Sequence, residues 1–387
     1  MTVSRLAGMA PIGVDRMGDL ADGAADPEML RLENLDTDLR PPAGVEEATR
    51  AAVGRDDANS YLPFVGHDAT RRAAAALVSR TSGVDYDWRT TTLISNGGLS
   101  GILDVLLALL EPGDEVVLVD PIYIGLVNRV RLAGGVPRFA RCEVVDGVWR
   151  LDLGSLHAAV SERTRAFLMM SPAMPSGCVL RADEWRAVSD ACRDADAWMI
   201  VDSAMERILF DDHERVHPAS LSGMAERTIT VGSVAKEYRM IGWRVGWIVA
   251  PPRIVDDIGL VTISNGCCSV GIAQSAAALA LETPDGDVAR AAAVWQRRRD
   301  VILRELRDYP VIRPEGGWSL LVDVAQMGLT GREASDRLMT KAKVAATPMD
   351  GWGSERSRGL LRLVFSNEPT ERLEGLGARF DAAFADR

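Results

Sequence analysis

Short runs of apolar, largely β-branched residues recur along the middle of the chain, each leading through a loop into a longer amphipathic stretch. The runs occupy residues 91–95, 115–120, 166–171, 198–202, 228–232 and 244–250. Runs that are apolar on both faces predict strands of a sheet that is buried on both sides. Alternation of such strands with amphipathic helices favours an α/β fold, with a mostly parallel sheet between two layers of helices.

The two ends of the chain differ from the middle. The amino-terminal residues 1–45 are loop-rich. The carboxyl-terminal part contains a long charged helix followed by strand-like segments at residues 316–324 and 359–366. We therefore predict a large domain at residues 46–284 and a smaller α+β domain formed by residues 1–45 together with residues 285–387.

The composition is that of a globular protein. Of the 387 residues, 47% are apolar and 26% are charged, which is enough for a large core and excludes a mostly disordered chain. The formal net charge of −11 argues against general nucleic-acid binding and against attachment to an anionic membrane. No stretch reaches the roughly 20 apolar residues of a membrane helix, and no signal peptide is predicted at the start.

The number and spacing of the cysteines and histidines indicate where the protein is located in the cell and whether it binds a metal. The five cysteines are odd in number and form no CxxC pair, which argues against a disulfide framework or a structural zinc site. A reducing cytoplasm is therefore the expected location. Two of the four histidines, His213 and His217, lie in what is predicted to be a polar loop, and no metal site is predicted.

A glycine-rich loop follows the first predicted strand. Residues 93–105 read as strand, glycines and helix, so backbone N–H groups at the helix start could receive an anion. A dinucleotide site would need GxGxxG, but Asn96 stands where the first glycine would be. The loop indicates a phosphate-binding cup, and a plain strand-to-helix turn is the alternative.

The segment 228–251 carries the strongest chemical signal. Lys236 lies just beyond a buried strand end, where desolvation lowers the pKa of an amine and makes it a nucleophile for Schiff-base chemistry. Ser233 and Arg244 are residue types that hold a phosphate. Asp202 ends another apolar run, where its carboxylate could pair with a protonated ring nitrogen.

In their order and spacing these motifs resemble the class I/II aminotransferases of the fold-type I pyridoxal-phosphate enzymes, from about residue 30 onwards. The resemblance implies a seven-stranded, mostly parallel sheet in the large domain and a requirement for pyridoxal 5'-phosphate. The matching segments are SNGGLSGILDVLLALLEPGDEVVLVDPIY, SPAMPSG, WMIVDSAMERILF, GSVAKEYRMIGWRVGW and GLLRLVFS.

The resemblance also implies a role for each matching residue. Lys236 would form the Schiff base and shuttle a proton, Asp202 would keep the pyridine nitrogen protonated, and Tyr123 would stack on the pyridine ring. Arg362, with Asn34, would bind the substrate. The phosphate would be held by the backbone and side chains of Gly97, Gly98, Leu99, Ser233 and Arg244.

The resemblance also implies that two subunits share each active site, because it includes an aromatic residue at Tyr61. Tyr61 matches a residue that reaches the phosphate of the neighbouring subunit, which would make a homodimer obligatory. Cys267 and Cys268 fall near that position as well, and we interpret them as small apolar fillers.

Two positions depart from the family pattern. Met174 and Met205 stand where most relatives carry an Asn and a Tyr that donate hydrogen bonds to the phenolic oxygen of the cofactor, and a thioether cannot donate. We therefore predict a Schiff base that stays protonated across neutral pH. The alternative is that Ser203 or an ordered water replaces the donors.

The predicted reaction is amino transfer between an L-amino acid and a 2-oxo acid. The two methionines keep a second interpretation open, namely elimination, replacement or other Cα-carbanion chemistry on the same cofactor. A non-catalytic binding protein and a nicotinamide dehydrogenase are minor alternatives.

The substrate is only weakly encoded. A dicarboxylate substrate would need a second cation, for which Arg40 and Arg239 are candidates by position, although each is more typical of a surface or structural arginine. Trp243 and Trp318 are interpreted as packing residues between domains, with a place in the site wall as the alternative.

Overall fold

The computed structural model describes residue 6 and residues 8–385, and the elements named below belong to that part of the chain. The expectations for the other terminal residues lie outside it. The helices are α1 (Val14–Ala24), α2 (Val45–Val53), α3 (Asp68–Ser82), α4 (Trp88–Thr91), α5 (Gly98–Leu109), α6 (Ile124–Leu132), α7 (Leu153–Ala159), α8 (Ala182–Asp194), α9 (Pro252–Gly266), α10 (Gly271–Leu281), α11 (Asp285–Glu305), α12 (Gly331–Ala342), α13 (Thr370–Leu373) and α14 (Leu376–Phe384).

The strands lie between these helices. They are β1 (Leu30–Arg31), β2 (Thr92–Ser95), β3 (Glu115–Asp120), β4 (Val136–Val145), β5 (Val148–Leu151), β6 (Thr164–Met170), β7 (Trp198–Asp202), β8 (Thr228–Ser233), β9 (Gly246–Val249), β10 (Val311–Ile312), β11 (Ser319–Asp323), β12 (Val344–Ala345), β13 (Thr347–Pro348) and β14 (Leu360–Val364). Short 3-10 turns occupy Asp56–Ala58, Pro218–Ser220, Ile241–Trp243, Val324–Met327 and Glu355–Gly359.

The large sheet has eight strands in the order β2-β9-β8-β7-β6-β3-β4-β5. From β8 to β4 neighbouring strands run parallel, whereas β9 is antiparallel to both β2 and β8. Each apolar run of the sequence forms one of these strands, so the predicted α/β fold is confirmed. The predicted count of seven is exceeded by β5, which pairs antiparallel with β4 at one edge.

Both faces of the sheet are buried, as the continuous apolar runs predict. On β2, Leu93 packs in the core cluster that contains Ile102 of α5, whereas its neighbour Ile94 packs with Leu77 of α3 on the other side. Alternation of side chains along a strand therefore divides the core into two layers. The helices hold the sheet rigid, so the loops at its carboxyl edge have a fixed framework.

A second, antiparallel sheet forms from the carboxyl-terminal part in the order β10-β11-β14-β13. The strand β1 pairs with β12 in parallel, with Leu30 opposite Val344, so the amino-terminal segment joins this part of the molecule. The long helix α11 places Trp295 against Trp318, with their ring centres 5.1 Å apart. The exact domain boundaries at residues 45 and 285 remain a prediction.

The sequence pattern failed in two places. The amino-terminal part was expected to be loop-rich, but residues 14–24 form α1, which buries Met17 and Ala21 and leaves most of its other side chains at least partly exposed. The hairpin β4–β5 was not predicted because its outer residues Val144 and Val145 are exposed rather than core residues. In the described residues no helix is both long and apolar enough to cross a membrane.

Candidate active site

The carboxyl ends of β6, β7 and β8 open onto a cavity of about 270 Å³. In open α/β sheets this edge is the usual place for a ligand, because the loops that follow the strands converge there. The sequence-predicted residues that line the cavity are Asn34, Gly98, Leu99, Tyr123, Met174, Asp202, Met205, Ser233, Lys236, Arg244 and Arg362. Chain segments more than 300 residues apart in sequence, around Asn34 and Arg362, thus meet at one site.

One end of the cavity is a cradle of closely packed backbone. Gly97 has φ +88°, and a Cβ atom there would lie 2.7 Å from Nη2 of Arg244. A Cβ on Gly246 would come within 2.6 Å of the Gly97 carbonyl carbon. Only glycine permits this approach, which lets the start of α5, beginning at Gly98, lie beside the Arg244 guanidinium.

This cradle has the chemistry of an anion site. The first N–H groups of α5 lack partners within the helix, and the helix dipole adds partial positive charge there. Arg244 has φ 55° and donates from Nη1 to the carbonyl of Ile241 at 2.9 Å, which fixes the side chain over the loop. The hydroxyl of the buried Ser233 lies at the end of β8 next to Gly98. Together these groups can hold a phosphate.

Lys236 follows Ser233 by three residues and reaches into the cavity. Its Nζ donates to the carbonyl of Leu35 at 3.2 Å and lies 4.8 Å from the centre of the Trp318 ring. Burial lowers the pKa of Lys236 from 10.5 to about 8, and Asp36 and Asp202 partly oppose this effect. A lysine in this state is a more available nucleophile and proton acceptor than a solvated one.

Asp202 ends β7 and lies on the cavity floor, where its side chain is almost fully buried. Burial raises the pKa of Asp202 from 3.8 to about 6, even though the backbone N–H of Ala204 donates to Oδ1 at 3.1 Å and Lys236 is nearby. The carboxylate is therefore incompletely compensated within the chain. A cationic group on a ligand would stabilise it.

Tyr123 is the residue before α6 and presents its ring to the cavity. Its ring lies edge-on to Trp352, with centroids 5.3 Å apart. Burial raises the pKa of the Tyr123 phenol, although the nearby Arg129 and Arg362 act in the opposite direction. A neutral aromatic ring at this wall can stack on a planar ligand.

Arg362 lies in the middle of β14, buried to 1% exposure. Its Nη2 donates to the Thr347 hydroxyl at 3.2 Å and to the carbonyl of Glu33, whereas Nε has no partner. Burial lowers the pKa of Arg362 to about 10. A buried guanidinium with an unused donor is suited to bind a carboxylate, which would supply both charge and acceptors.

Met174 and Met205 are both buried in the cavity wall. The sulfur of Met174 lies 3.8 Å from Nη1 of Arg362. Ser203, the candidate replacement donor, is instead engaged through its hydroxyl with the carbonyl of Val231 at 3.2 Å. The hydroxyl hydrogen of Ser203 is thus directed away from the cavity.

Two of the predicted residues do not line the cavity. Gly97 lies directly behind it and shapes the Arg244 position, as described above. Tyr61 is 84% exposed and contributes nothing to the cavity of its own chain.

Several lining residues were missed by sequence reasoning. The amino-terminal residues Ile12, Val14 and Asp15 form part of the wall, but no motif marks them. Arg129 supports the loop by donating from Nε to the carbonyl of Leu99 at 2.7 Å. Trp318 was interpreted mainly as a packing residue, and it both packs on α11 and contacts Lys236.

The remaining sequence candidates take structural positions. Arg239 is buried and pairs with Asp287 at 2.6 Å, and Arg40 is exposed and pairs with Glu46, so neither is a second cation in the cavity. Trp243 donates to the Thr49 hydroxyl at 2.7 Å.

The histidine expectation held in part. His213 and His217 lie in a loop as predicted, but His217 is buried and its ring contacts the Thr230 hydroxyl at 3.2 Å. Within the described ranges, no group of three or more potential ligands could hold a metal ion. The five cysteines are all unpaired, and Cys267 and Cys268 are partly exposed.

Comparison with known proteins gives a consistent result. The family model "Aminotransferase class I and II" matches residues 31–380. The arginine–pyruvate transaminase AruH of Pseudomonas aeruginosa is 32% identical over 88% of this chain and 87% of its own. The probable N-succinyldiaminopimelate aminotransferase DapC of Mycobacterium tuberculosis is 34% identical over 91% and 88%. The solved structure of N-succinyldiaminopimelate aminotransferase from M. tuberculosis superposes with a TM-score of 0.91 at 31% identity, covering 99% of this chain and 100% of that one.

Proposed function

The chain belongs to the class I and II aminotransferase family, which uses pyridoxal 5'-phosphate, and we propose that it transfers an amino group between an L-amino acid and a 2-oxo acid with Lys236 as the reacting amine. The observation that carries this proposal is that one cavity holds the Lys236 amine, the Asp202 carboxylate and the Arg362 guanidinium beside an anion cradle. Transamination is favoured over elimination or replacement because the relatives described above are transaminases.

The residues of the cavity fit pyridoxal phosphate. The start of α5 with Ser233 and Arg244 offers a phosphate site. Burial raises the pKa of Asp202 because its charge is incompletely compensated within the chain, and a protonated pyridine nitrogen would complete that compensation. The unpartnered Nε of Arg362 remains for the carboxylate of an amino acid.

The chemistry divides between the cofactor and the chain. When bound, pyridoxal phosphate supplies a carbonyl carbon that reacts with amines and a ring that withdraws electrons from the Cα atom of the substrate. Lys236 accepts and returns the proton at Cα through Nζ. With a pKa of about 8, roughly a tenth of its amine is neutral at pH 7 even before a ligand adds its own charges.

The chain also fixes the geometry of the reacting groups. Asp202 holds a proton on the ring nitrogen and thereby keeps the ring electron-poor. Arg362 orients the substrate through its carboxylate, and Tyr123 limits tilting of the ring from one face. The apolar walls around Met174 and Met205 exclude water, which strengthens each of these electrostatic contacts.

We propose a homodimer, for which exposed apolar side chains give support. Large hydrophobic residues are exposed on segments that pack against one another: Val53, Tyr61, Phe64, Val270 and Leu279. Gly271 lies against the backbone of Ala58, so the segment around Tyr61 and α10 form one surface. A contiguous apolar surface of this kind is typical of a subunit interface. The five unpaired cysteines are compatible with a cytoplasmic location, which we also propose.

A half-reaction tests the function. The holoenzyme is mixed with a panel of L-amino acids in the absence of any 2-oxo acid, and the visible spectrum is recorded. Stoichiometric conversion of the cofactor to its amine form is expected for at least one donor. Lys236→Ala should lose the conversion, and Lys341→Ala on the exposed end of α12 serves as the matched control. Ammonia release over many turnovers would instead indicate elimination.

A further inference from the structure

The amino-terminal segment contributes a carboxylate to the cavity described above. Asp15 lines the cavity together with Ile12 and Val14, whereas Asp202 lies on the floor. Asp15 is exposed and lies in the first turn of α1. It is near enough to raise the pKa of Tyr123, after burial as the principal cause. The cavity therefore has a second acidic group at its outer part, away from the floor.

The segment that carries Asp15 is anchored on both sides. The side-chain amide of Asn128 donates to the carbonyl of Ala10 at 2.8 Å, and Trp352 donates to the carbonyl of Ile12 at 3.1 Å. Two residues beyond Asp15, Met17 is buried, and its sulfur lies 3.6 Å from the Ser335 hydroxyl, which donates to the carbonyl of Ala346 at 2.7 Å. These contacts fix α1 and hold the Asp15 backbone at the cavity.

The cations of the cavity are accounted for by other groups. Three basic side chains line it, namely Lys236, Arg244 and Arg362. Arg244 forms part of the anion cradle, and Arg362 is proposed to bind the substrate carboxylate. No ion pair of Asp15 occurs among the described salt bridges, although its neighbour Arg16 pairs with Asp336 at 3.4 Å. An anionic side chain of a substrate would thus meet Asp15 and no further cation of the same chain.

Part of the cavity wall is apolar. Val14, Leu35 and Ile241 line it, and the methionines add flexible thioether surface. A substrate with an aliphatic stem can lie along this wall. A charge at the far end of the stem would then reach the outer part of the cavity.

Resting on the proposed function, we infer that Asp15 selects amino donors whose side chain is an aliphatic stem ending in a cation, such as an ammonium or a guanidinium group. The substrate carboxylate binds Arg362, the stem lies on the apolar wall, and the terminal cation pairs with Asp15. Asp15 forms no bond in the reaction. It adds binding energy at a point remote from Cα and disfavours dicarboxylate donors by repulsion.

The test uses a pair of donors that differ in charge and hardly in shape. L-arginine and L-citrulline are nearly isosteric, and only the first carries a cation. Single-turnover conversion of the holoenzyme is measured with each, giving a rate constant and an apparent dissociation constant. We expect arginine to be preferred by about twofold to fivefold, mainly in the dissociation constant, because an ion pair at an exposed site contributes up to about 1 kcal/mol.

Two variants separate a specific role from a general charge effect. Asp15→Asn should bring the arginine-to-citrulline ratio close to one and leave the citrulline constants nearly unchanged. Asp19→Asn, one turn further along α1 and outside the cavity wall, should keep the ratio. Added salt should weaken the preference for arginine in the wild type and in Asp19→Asn, because it screens the ion pair. It should have no such effect in Asp15→Asn, which lacks the carboxylate.

The outcomes distinguish this inference from the proposed function. A wild-type ratio near one, or a preference that survives in Asp15→Asn, overturns the inference while amino transfer stands. Failure of every donor, charged or neutral, to convert the cofactor overturns the proposed function and the inference with it. L-glutamate tests the repulsion. Its conversion of the cofactor should be faster in Asp15→Asn than in the wild type, because a negative charge near its side chain has been removed.

Discussion

The Nζ atom of Lys236 lies 4.8 Å from the centre of the Trp318 ring, so the amine in the cavity lies against an aromatic face. Trp318 is fully buried, and its opposite contact is Trp295 of α11. An ammonium group over an indole face is stabilised by about 0.5–2 kcal/mol. The amine thus experiences two opposing effects, since burial disfavours its charge and the indole ring favours it.

Replacement of Trp318 by Leu should therefore lower the pKa of Lys236 below its value of about 8 in the cofactor-free protein. The pKa should fall by roughly 0.4 to 1.5, because the lost stabilisation of about 0.5–2 kcal/mol acts on the charged form alone. The measurement is the pH dependence of the rate at which the apoprotein combines with pyridoxal phosphate, because the neutral amine is the reacting form. Trp318→Phe should retain most of the effect, and Trp295→Phe tests whether repacking alone moves the midpoint. A midpoint unchanged in Trp318→Leu would contradict the prediction.

Asp202 should make the stability of the apoprotein pH-dependent. The pKa of Asp202 in the folded protein, about 6, exceeds its ordinary value of 3.8, so folding favours the protonated carboxyl. The stability that the protonated carboxyl gives is fully present below pH 3.8 and is lost as the pH rises through about 6. Asp202→Asn should remove this loss and make the apoprotein more stable at pH 7, by roughly 2–3 kcal/mol as an upper bound. Urea unfolding of both proteins at pH 3 and pH 7 measures the difference in free energy of unfolding, which should vanish at the lower pH.

The holoprotein should behave in the opposite way. A protonated ring nitrogen compensates the Asp202 carboxylate, so Asp202→Asn should weaken cofactor binding although it stabilises the empty chain. If Asp202→Asn destabilised the apoprotein and the holoprotein equally at neutral pH, the carboxylate would stabilise the fold rather than the bound cofactor.

Gly97 should be intolerant of a side chain. With φ +88° and only 2.7 Å from a hypothetical Cβ to Arg244 Nη2, Gly97→Ala must strain the loop or displace the guanidinium. We expect the dissociation constant of pyridoxal phosphate to rise about fivefold to 150-fold, as strain of roughly 1–3 kcal/mol implies. Titration of the apoprotein with the cofactor gives the constant. Gly242→Ala is the matched control, because open space surrounds that glycine.

The two cavity methionines should affect the cofactor linkage rather than its binding. Since neither Met174 nor Met205 can donate a hydrogen bond, the nitrogen that joins Lys236 to the cofactor should keep its proton from about pH 6 to pH 9. The visible absorption band should accordingly stay constant over this range. Met205→Tyr should introduce a titration of the band within it, while Met205→Leu should not. A visible band that titrates within this pH range in the wild type would contradict the prediction.

Much of the fold could be predicted because its strands are continuous apolar runs in the sequence. The strand β7 and the Asp202 at its end are marked by one such run, and Ser233 and Lys236 are marked in the same way by β8. At these places local pattern and tertiary position coincide, because ligand groups follow directly from strand ends. The roles assigned to these residues await the experiments above.

Other parts depended on contacts between distant segments and left no local trace. Asp15 reaches the cavity only because Ala10 and Ile12 are anchored to Asn128 and Trp352, far away in the sequence. The hairpin of β4 and β5 turns at Asp146-Gly147, both with positive φ, but its exposed valines do not resemble a core strand. Tertiary context overrides a local pattern at such positions.

The pairing of β1 with β12 has a consequence for how the site is completed during synthesis. The cradle and the Lys236 amine are encoded between Gly97 and Gly246, whereas Arg362 lies on β14 and the segment carrying Asp15 contacts Trp352 and Ser335. A nascent chain that has emerged only as far as β9 already contains the groups that hold a phosphate and offer an amine. The groups proposed to recognise a substrate are complete only after β14 has been synthesised, so the residues proposed for cofactor binding are made before those proposed for substrate choice.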